Sequence, residues 1–189
     1  MPEASRLPLA DLAIGALRGM DANAYTAFRD NLMALVLADE EVDIFEFALL
    51  HMVARRLDRQ FGLAQTPRVR YQDFGSLGDA IACVFSLLVW NGADDDAAAH
   101  AAYAAGWEAL GETPAGNLHA RNDDRLKELE EHLDCLAEAA PQLKARLLSA
   151  CAAIAAADGH TTLREAETLR AIADALDCPV PPFAPEMAA

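Results

Sequence analysis

The chain has 189 residues, enough to bury a core without disulfide or metal staples. Acidic residues outnumber basic ones 30 to 15, for a formal net charge of −15. Such a surface repels phosphate backbones and anionic lipid, which argues against nucleic-acid binding and peripheral membrane binding. The charge suits a cation or a basic partner, and it equally serves to keep a domain soluble. Alanine is abundant, and β-branched residues are scarce. Alanine loses no side-chain entropy on becoming helical, so the expected fold class is all-α, with seven to nine helices and no strand.

Residues 7–18 form the first amphipathic candidate, with Pro8 near its start. Residues 21–38 follow, with Asp21 as N-cap and Tyr25, Phe28, Leu32, Leu35 and Val36 on one stripe. The chain breaks at Asp39-Glu40-Glu41-Val42 and resumes as a helix over 43–59, with Phe47, Leu50, Val53, Ala54 and Leu57 at helical spacing. A loop over 60–73 carries Pro67, Arg68 and Arg70. Residues 75–90 make the most apolar and most central helix, closed by Asn91-Gly92 as a C-cap. Asp94-Asp95-Asp96 opens the next, to about Leu110, and the three acids complement its macrodipole. Further helices are expected over 122–139, 141–157 and 162–176, and the proline-rich tail 179–189 is expected to be extended or disordered.

No basic start and apolar core of a signal peptide opens the chain, and the longest apolar run, 80–90, is too short to span a bilayer. The expectation is a cytoplasmic chain that does not itself insert into a membrane. None of Cys83, Cys135, Cys151 and Cys178 sits in a C-x-x-C pair, and three lie in helical stretches where a thiol acts as a small core residue. Trp90 and Trp107 read as core residues or as the lining of a ligand pocket. Arg55, Arg56, Arg59, Arg68 and Arg70 read as local ion-pair partners or as a dock for an acidic partner.

The informative feature is self-similarity at an offset of 119 residues. Segment 32–58, LMALVLADEEVDIFEFALLHMVARRLD, aligns without a gap to segment 151–177, CAAIAAADGHTTLREAETLRAIADALD, with eight identities. The pairs Asp39/Asp158, Glu46/Glu165, Leu50/Leu169, Leu57/Leu176 and Asp58/Asp177 stay in register. Two helix–acidic turn–helix hairpins, near 24–59 and 142–177, are expected in one pseudo-symmetric domain over 1–178. Asp43-x-x-Glu46 and Thr162-x-x-Glu165 have capping-box spacing. Gly159 suits a left-handed residue after the preceding helix.

Asp39 and Asp158 stand near helix C-termini, where the macrodipole disfavours a carboxylate. Asp39, Glu41, Asp43 and Glu46 place four carboxylates in eight residues. Hard cations take such oxygen ligands, so Asp39, Asp43 and Glu46 are one candidate metal site. Asp158 and Glu165, with His160 beside them, are the poorer second. The expected occupant is a divalent cation: calcium, magnesium or zinc. The alternative is that each Asp accepts from backbone amides of its own turn.

The pattern Ala156-Ala157-Asp158-Gly159…Glu165-Ala166 resembles the tellurite-resistance TerB-like family. Segments 7–18, 32–58 and 147–183 also resemble the C-terminal TerB-like region of bacterial membrane zinc metallopeptidases, the HtpX-like and CAAX-prenyl-protease-like proteases with chaperone function. Asp39, Asp43 and Glu46 match the family's acidic hairpin fully. Thr162 replaces an acid in the second copy, and Glu40 stands where the family has glycine. The resemblance implies a non-catalytic interaction or regulatory module, the cytoplasmic part of a zinc peptidase held in the inner membrane. Its partner would be the parent peptidase portion or another protein. The other implied reading is a free-standing metal-binding or stress-response protein. The peptidase chemistry does not carry over: His51, His100, His119, His132 and His160 never pair at HExxH spacing, and no Ser or Cys has a nucleophile motif beside it.

A cation held only by the folded chain raises its melting temperature by mass action. If Asp39, Asp43 and Glu46 hold one, millimolar calcium, magnesium or zinc raises the melting temperature at low ionic strength, and Asp39→Asn abolishes the rise. A melting temperature unmoved by all three ions leaves these residues as helix punctuation.

Overall fold

The computed structural model describes residues 6–37, 44–63, 67–121 and 126–178. Those residues are all-helical. They form α1 (Arg6–Leu17), α2 (Ala22–Leu37), α3 (Ile44–Gln60), α4 (Gly78–Gly92), α5 (Asp96–Leu110), α6 (Leu126–Ala137), α7 (Pro141–Ala155) and α8 (Leu163–Ala175). No strand occurs among the described residues; Tyr71 and Ala139 form an isolated parallel bridge. The chain divides into two compact units, Met1–Thr66 and Pro67–Ala189. The sequence suggests one domain over 1–178, whereas one copy of the repeat lies in each unit.

In the first unit α3 packs against α1 and α2. Ile14, Tyr25, Val53 and Leu57 are its buried core, with Ala10, Leu17, Phe28, Leu32 and Phe61 packed around them. Ala10, Ile14 and Leu17 recur at helical spacing, so one face of α1 turns inward. Leu9 and Leu12 point to solvent. Asp21 caps α2, its Oδ1 accepting from the amides of Asn23 and Ala24.

A polar group sits inside this small core. The Tyr25 hydroxyl donates to Asp58 Oδ1 at 2.6 Å, and Arg29 Nε lies 3.0 Å from the same oxygen. The Tyr25 ring stacks on Phe61 with centroids 4.3 Å apart. Asp58 is 6 % exposed, so its charge depends on these two donors. Tyr25 and Arg29 of α2 and Asp58 of α3 thereby tie the hairpin together at its open end.

The second unit is organised by α4. Every residue from Ala80 to Ser86 is buried, as are Leu88 and Val89. A helix apolar all round must be enclosed, and α5, α6, α7 and α8 all pack on it. Phe85 meets Trp107 and Tyr103 edge-on, with ring centroids at 5.4 and 6.5 Å. α5 and α7 make the most extensive helix pair. Their close approach needs Gly106, where a Cβ would fall 2.6 Å from Ile154 Cδ1.

The connections are held by polar contacts. Arg70 and Tyr71 donate backbone amides to Glu138 O, and Ala140 N donates to Tyr71 O. This fastens the segment before α4 to the joint between α6 and α7. Arg70 also pairs with Glu138 at 3.1 Å, which is the local ion pairing expected of the basic loop. Arg146 donates to Leu110 O at 2.6 Å and lies over the Phe74 ring, closing the end of α5. Gly111, at φ +72°, ends that helix in the left-handed region.

Two boundaries differ from the sequence reading. α4 begins at Gly78 rather than Gly75, because Asp73 Oδ1 takes the Gly75 amide into a local turn. α4 also continues through Asn91 and Gly92 to a C-cap at Ala93 with extended backbone. Gly92 is therefore no left-handed cap, and its lack of a side chain has another use described below. Trp90 donates its indole N–H to His119 O at 2.8 Å, and Trp107 is buried. No disulfide links the four cysteines. Burial pushes the Cys151 thiol up to about 12, so it stays protonated at neutral pH and packs as an apolar group.

The two hairpins, each taken within its own unit, begin their helices in register with the repeat. α2 and α7 start at residues 22 and 141; α8 starts at 163, and α3 is helical from the first described residue after its turn, Ile44. Leu57 and Leu176 are both fully buried. Lys144 occupies the repeat position of Tyr25, and its Nζ donates to Leu176 O at 2.8 Å. In both hairpins a polar side chain from the first turn of the first helix therefore reaches the end of the second.

The Tyr25 phenol has its pKa raised, first by burial and then by its bond to Asp58. A raised folded-state value means the contribution is intact below the ordinary tyrosine pKa of about 10 and is lost as pH climbs beyond it. Urea unfolding of the wild type is expected to show stability falling above pH 10. Tyr25→Phe loses about 1.5–3 kcal/mol at neutral pH, the scale of a hydrogen bond to a charged group, and shows a shallower alkaline fall. Identical alkaline slopes for the two proteins would refute the assignment.

Candidate functional site

The sequence divides the candidate residues between two turns. Asp39, Glu41 and Asp43 lie outside the described residues. Glu46 belongs to α3, but its side chain lies outside the described set, as do both caps of that turn. The second turn is fully described.

α7 ends at Ala155, and Gly159 at φ +85° turns the chain back. Asp158 Oδ1 accepts from His160 N at 2.9 Å. This carboxylate thus bonds its own turn, the alternative weighed for it against a metal. Thr162 then caps α8 in a complete capping box. Its hydroxyl accepts from Glu165 N at 3.2 Å, and Glu165 Oε2 accepts from Thr162 N and Thr162 Oγ1, each at 2.8 Å. Thr162 is therefore a working cap, because a hydroxyl accepts from the N3 amide as a carboxylate does.

Glu165 is only 7 % exposed. Its other oxygen, Oε1, lies against Gly92 of α4, and a Cβ on that glycine would collide with it. The glycine is required by a contact 73 residues away in the chain rather than by a helix end. Next to this contact, Asn91 Nδ2 donates to Thr168 Oγ1 at 3.3 Å, joining α4 to α8 a second time.

The same elements enclose a cleft of about 130 Å3. Its apolar wall comes from Leu88 and Val89 of α4, Ala98 and Ala102 of α5, and Ile154 of α7. Its polar lining is three carboxylates, Asp94, Asp158 and Glu165. Asp158 and Glu165, paired by the sequence reading, thus share one cavity. Of the three acids that the sequence sets at the start of α5, Asp95 is the N-cap, its side chain accepting from Ala98 N at 2.8 Å. Asp94 is left to the cleft. His160 is exposed and not among the lining residues.

Helix ends shape the local field. α4 and α7 bring their C-termini to the cleft, and a C-terminus carries partial negative charge. α5 and α8 bring N-termini, but Asp95, Asp96 and Glu165 stand on those first turns and offset their positive ends. The surplus at the cleft is negative. Among the described residues, no group of three His, Cys, Asp or Glu side chains gathers closely enough to hold a metal ion.

Thr162→Ala is expected to cost about 1 kcal/mol, the usual scale of a lost N-cap. Gly92→Ala is expected to cost about 1–3 kcal/mol, because the added methyl displaces the buried carboxylate. Chemical denaturation of both variants checks the pair. A Gly92→Ala protein as stable as the wild type would show that Glu165 does not depend on the glycine.

No family model matches the chain, and no curated protein or solved structure matches it.

Proposed function

We propose that this chain is a non-catalytic interaction module, the cytoplasmic C-terminal part of a membrane-bound zinc metallopeptidase. The observation that carries the non-catalytic part is the use made of the acidic turn. Glu165 and Thr162 bond each other and the backbone at the start of α8, and Asp158 bonds its own turn. Groups held this way position a hairpin, and among the described residues none is set beside a metal-ligand array that it could activate.

The peptidase connection rests on residues. Segments 32–58 and 147–183 resemble the TerB-like region of those proteins, and both hairpin starts fall at the repeat spacing. No helix among the described residues is long and apolar enough to cross a membrane. In this reading the membrane-spanning and HExxH portions are encoded ahead of this segment, and this module binds a protein or the peptidase portion itself.

Two measurements test the proposal. Sequencing the reading frame upstream of the Met1 codon is expected to reveal apolar spans and an HExxH motif in frame. A stop codon immediately upstream would remove the peptidase assignment. Incubation of the homogeneous chain with casein and zinc is expected to give no cleavage. Chelator-sensitive cleavage would remove the non-catalytic one.

A further inference from the structure

We propose that the cleft between α4, α5, α7 and α8 receives the side chain of a lysine presented by a protein partner. The inference rests on the interaction-module reading and names the chemistry of the partner. Three properties of the cleft select this occupant.

The first is shape and polarity. One side is hydrocarbon, from Leu88, Val89, Ala102 and Ile154, while Asp94, Asp158 and Glu165 supply the charge. A lysine has the matching division, an aliphatic stem and a cationic head. The second is size. An apolar cavity of about 150 Å3 admits benzene, and the cleft, at about 130 Å3, suits a chain of similar bulk. The third is the spread of the carboxylates. They do not converge as a ligand shell for a bare ion, whereas an ammonium group needs only hydrogen-bond acceptors around it and gains from each. The C-termini of α4 and α7 add to the same potential. The net charge of −15 attracts a basic partner over longer range.

The cleft also has a rigid floor. Gly92 and the capping box hold Glu165, and the packing of α5 on α7 at Gly106 holds the walls. A preformed acceptor of this kind avoids an ordering cost on binding.

The test is a titration of the full 15N-labelled chain at low ionic strength with acetyl-Gly-Lys-Gly-amide, followed by amide shifts. Saturable shifts are expected at Gly92, Ala98, Ala157 and Asp158. The Nε-acetyl-lysine peptide, which keeps the stem and loses the charge, is expected to give none. Asp94→Asn with Asp158→Asn removes two exposed charges while keeping the Asp158 turn acceptor. This variant is expected to weaken binding roughly five- to tenfold, the scale of two partly screened ion pairs. Ala101→Leu, at an exposed position lining the cleft, fills it without altering charge and is expected to abolish the shifts.

Equal shifts from the acetylated peptide overturn the proposal, as do unsaturable shifts spread over the acidic surface. The same shifts from magnesium chloride alone would show a site for a bare cation instead, and stronger binding of the arginine peptide one for a guanidinium. None of these results bears on the non-catalytic reading, which fails only if the chain cleaves casein.

Discussion

The second unit depends on the burial of α4. From Ala80 to Val89 only Leu87 among its residues is not fully withdrawn from solvent. No single neighbouring helix can cover such a surface, so four helices surround it. That enclosure dictates much of the rest. It brings the first turn of α8 to the last turn of α4, and the end of α7 to the start of α5. It also sets the aromatic trio Phe85, Tyr103 and Trp107 edge-on at the centre. Ser86 is the polar residue inside this helix, and its hydroxyl is used twice, donating to Ala82 O and accepting from His119 N. The second bond pins the loop after α5 to the α4 surface, beside the bond from Trp90 to His119 O.

The acidic turn before α8 shows how ordinary helix punctuation can also build a cavity. A capping box needs a glutamate at the third helical position. In an exposed helix that glutamate would lie in water. Here the packing of α4 buries it, with one oxygen bound to the cap and the other against Gly92. The same carboxylate thus ends a loop, fills a helix crossing and faces a cleft. Asp158 contributes to the cleft while its own turn uses Oδ1.

The first unit carries a polar group in its core. Among the described residues, Ile14, Tyr25, Val53 and Leu57 are buried together, and the tyrosine hydroxyl must be satisfied. Asp58 accepts a hydrogen bond from that hydroxyl and is balanced by Arg29. The group links α2 to the end of α3. Lys144 makes the corresponding link in the second unit by bonding a carbonyl directly, so the position is retained in the repeat while the chemistry differs.

Helix content, approximate helix limits and the capping box at Thr162 and Glu165 were legible in the amino-acid order, because they depend on propensity, spacing and contacts within one turn. α2 and α7, the first helices of the two hairpins, start 119 residues apart, at 22 and 141. The role of Gly92 was not legible. A glycine after an apolar helix reads locally as a cap, and only the arrival of Glu165 from elsewhere in the chain makes it a close-approach residue. Asp94 was equally hidden among three consecutive acids, since nothing local separates the one that caps α5 from the one that lines a cavity. Tyr25 appeared as one member of an apolar stripe. Its partner Asp58 lies 33 residues on, at a distance that backbone propensities do not encode. What the sequence determined by itself was the helices of the described residues and their approximate limits. The meeting of carboxylates at one cleft, and of phenol, carboxylate and guanidinium in one core, was decided by tertiary packing, because those contacts exist only once separate helices are brought face to face.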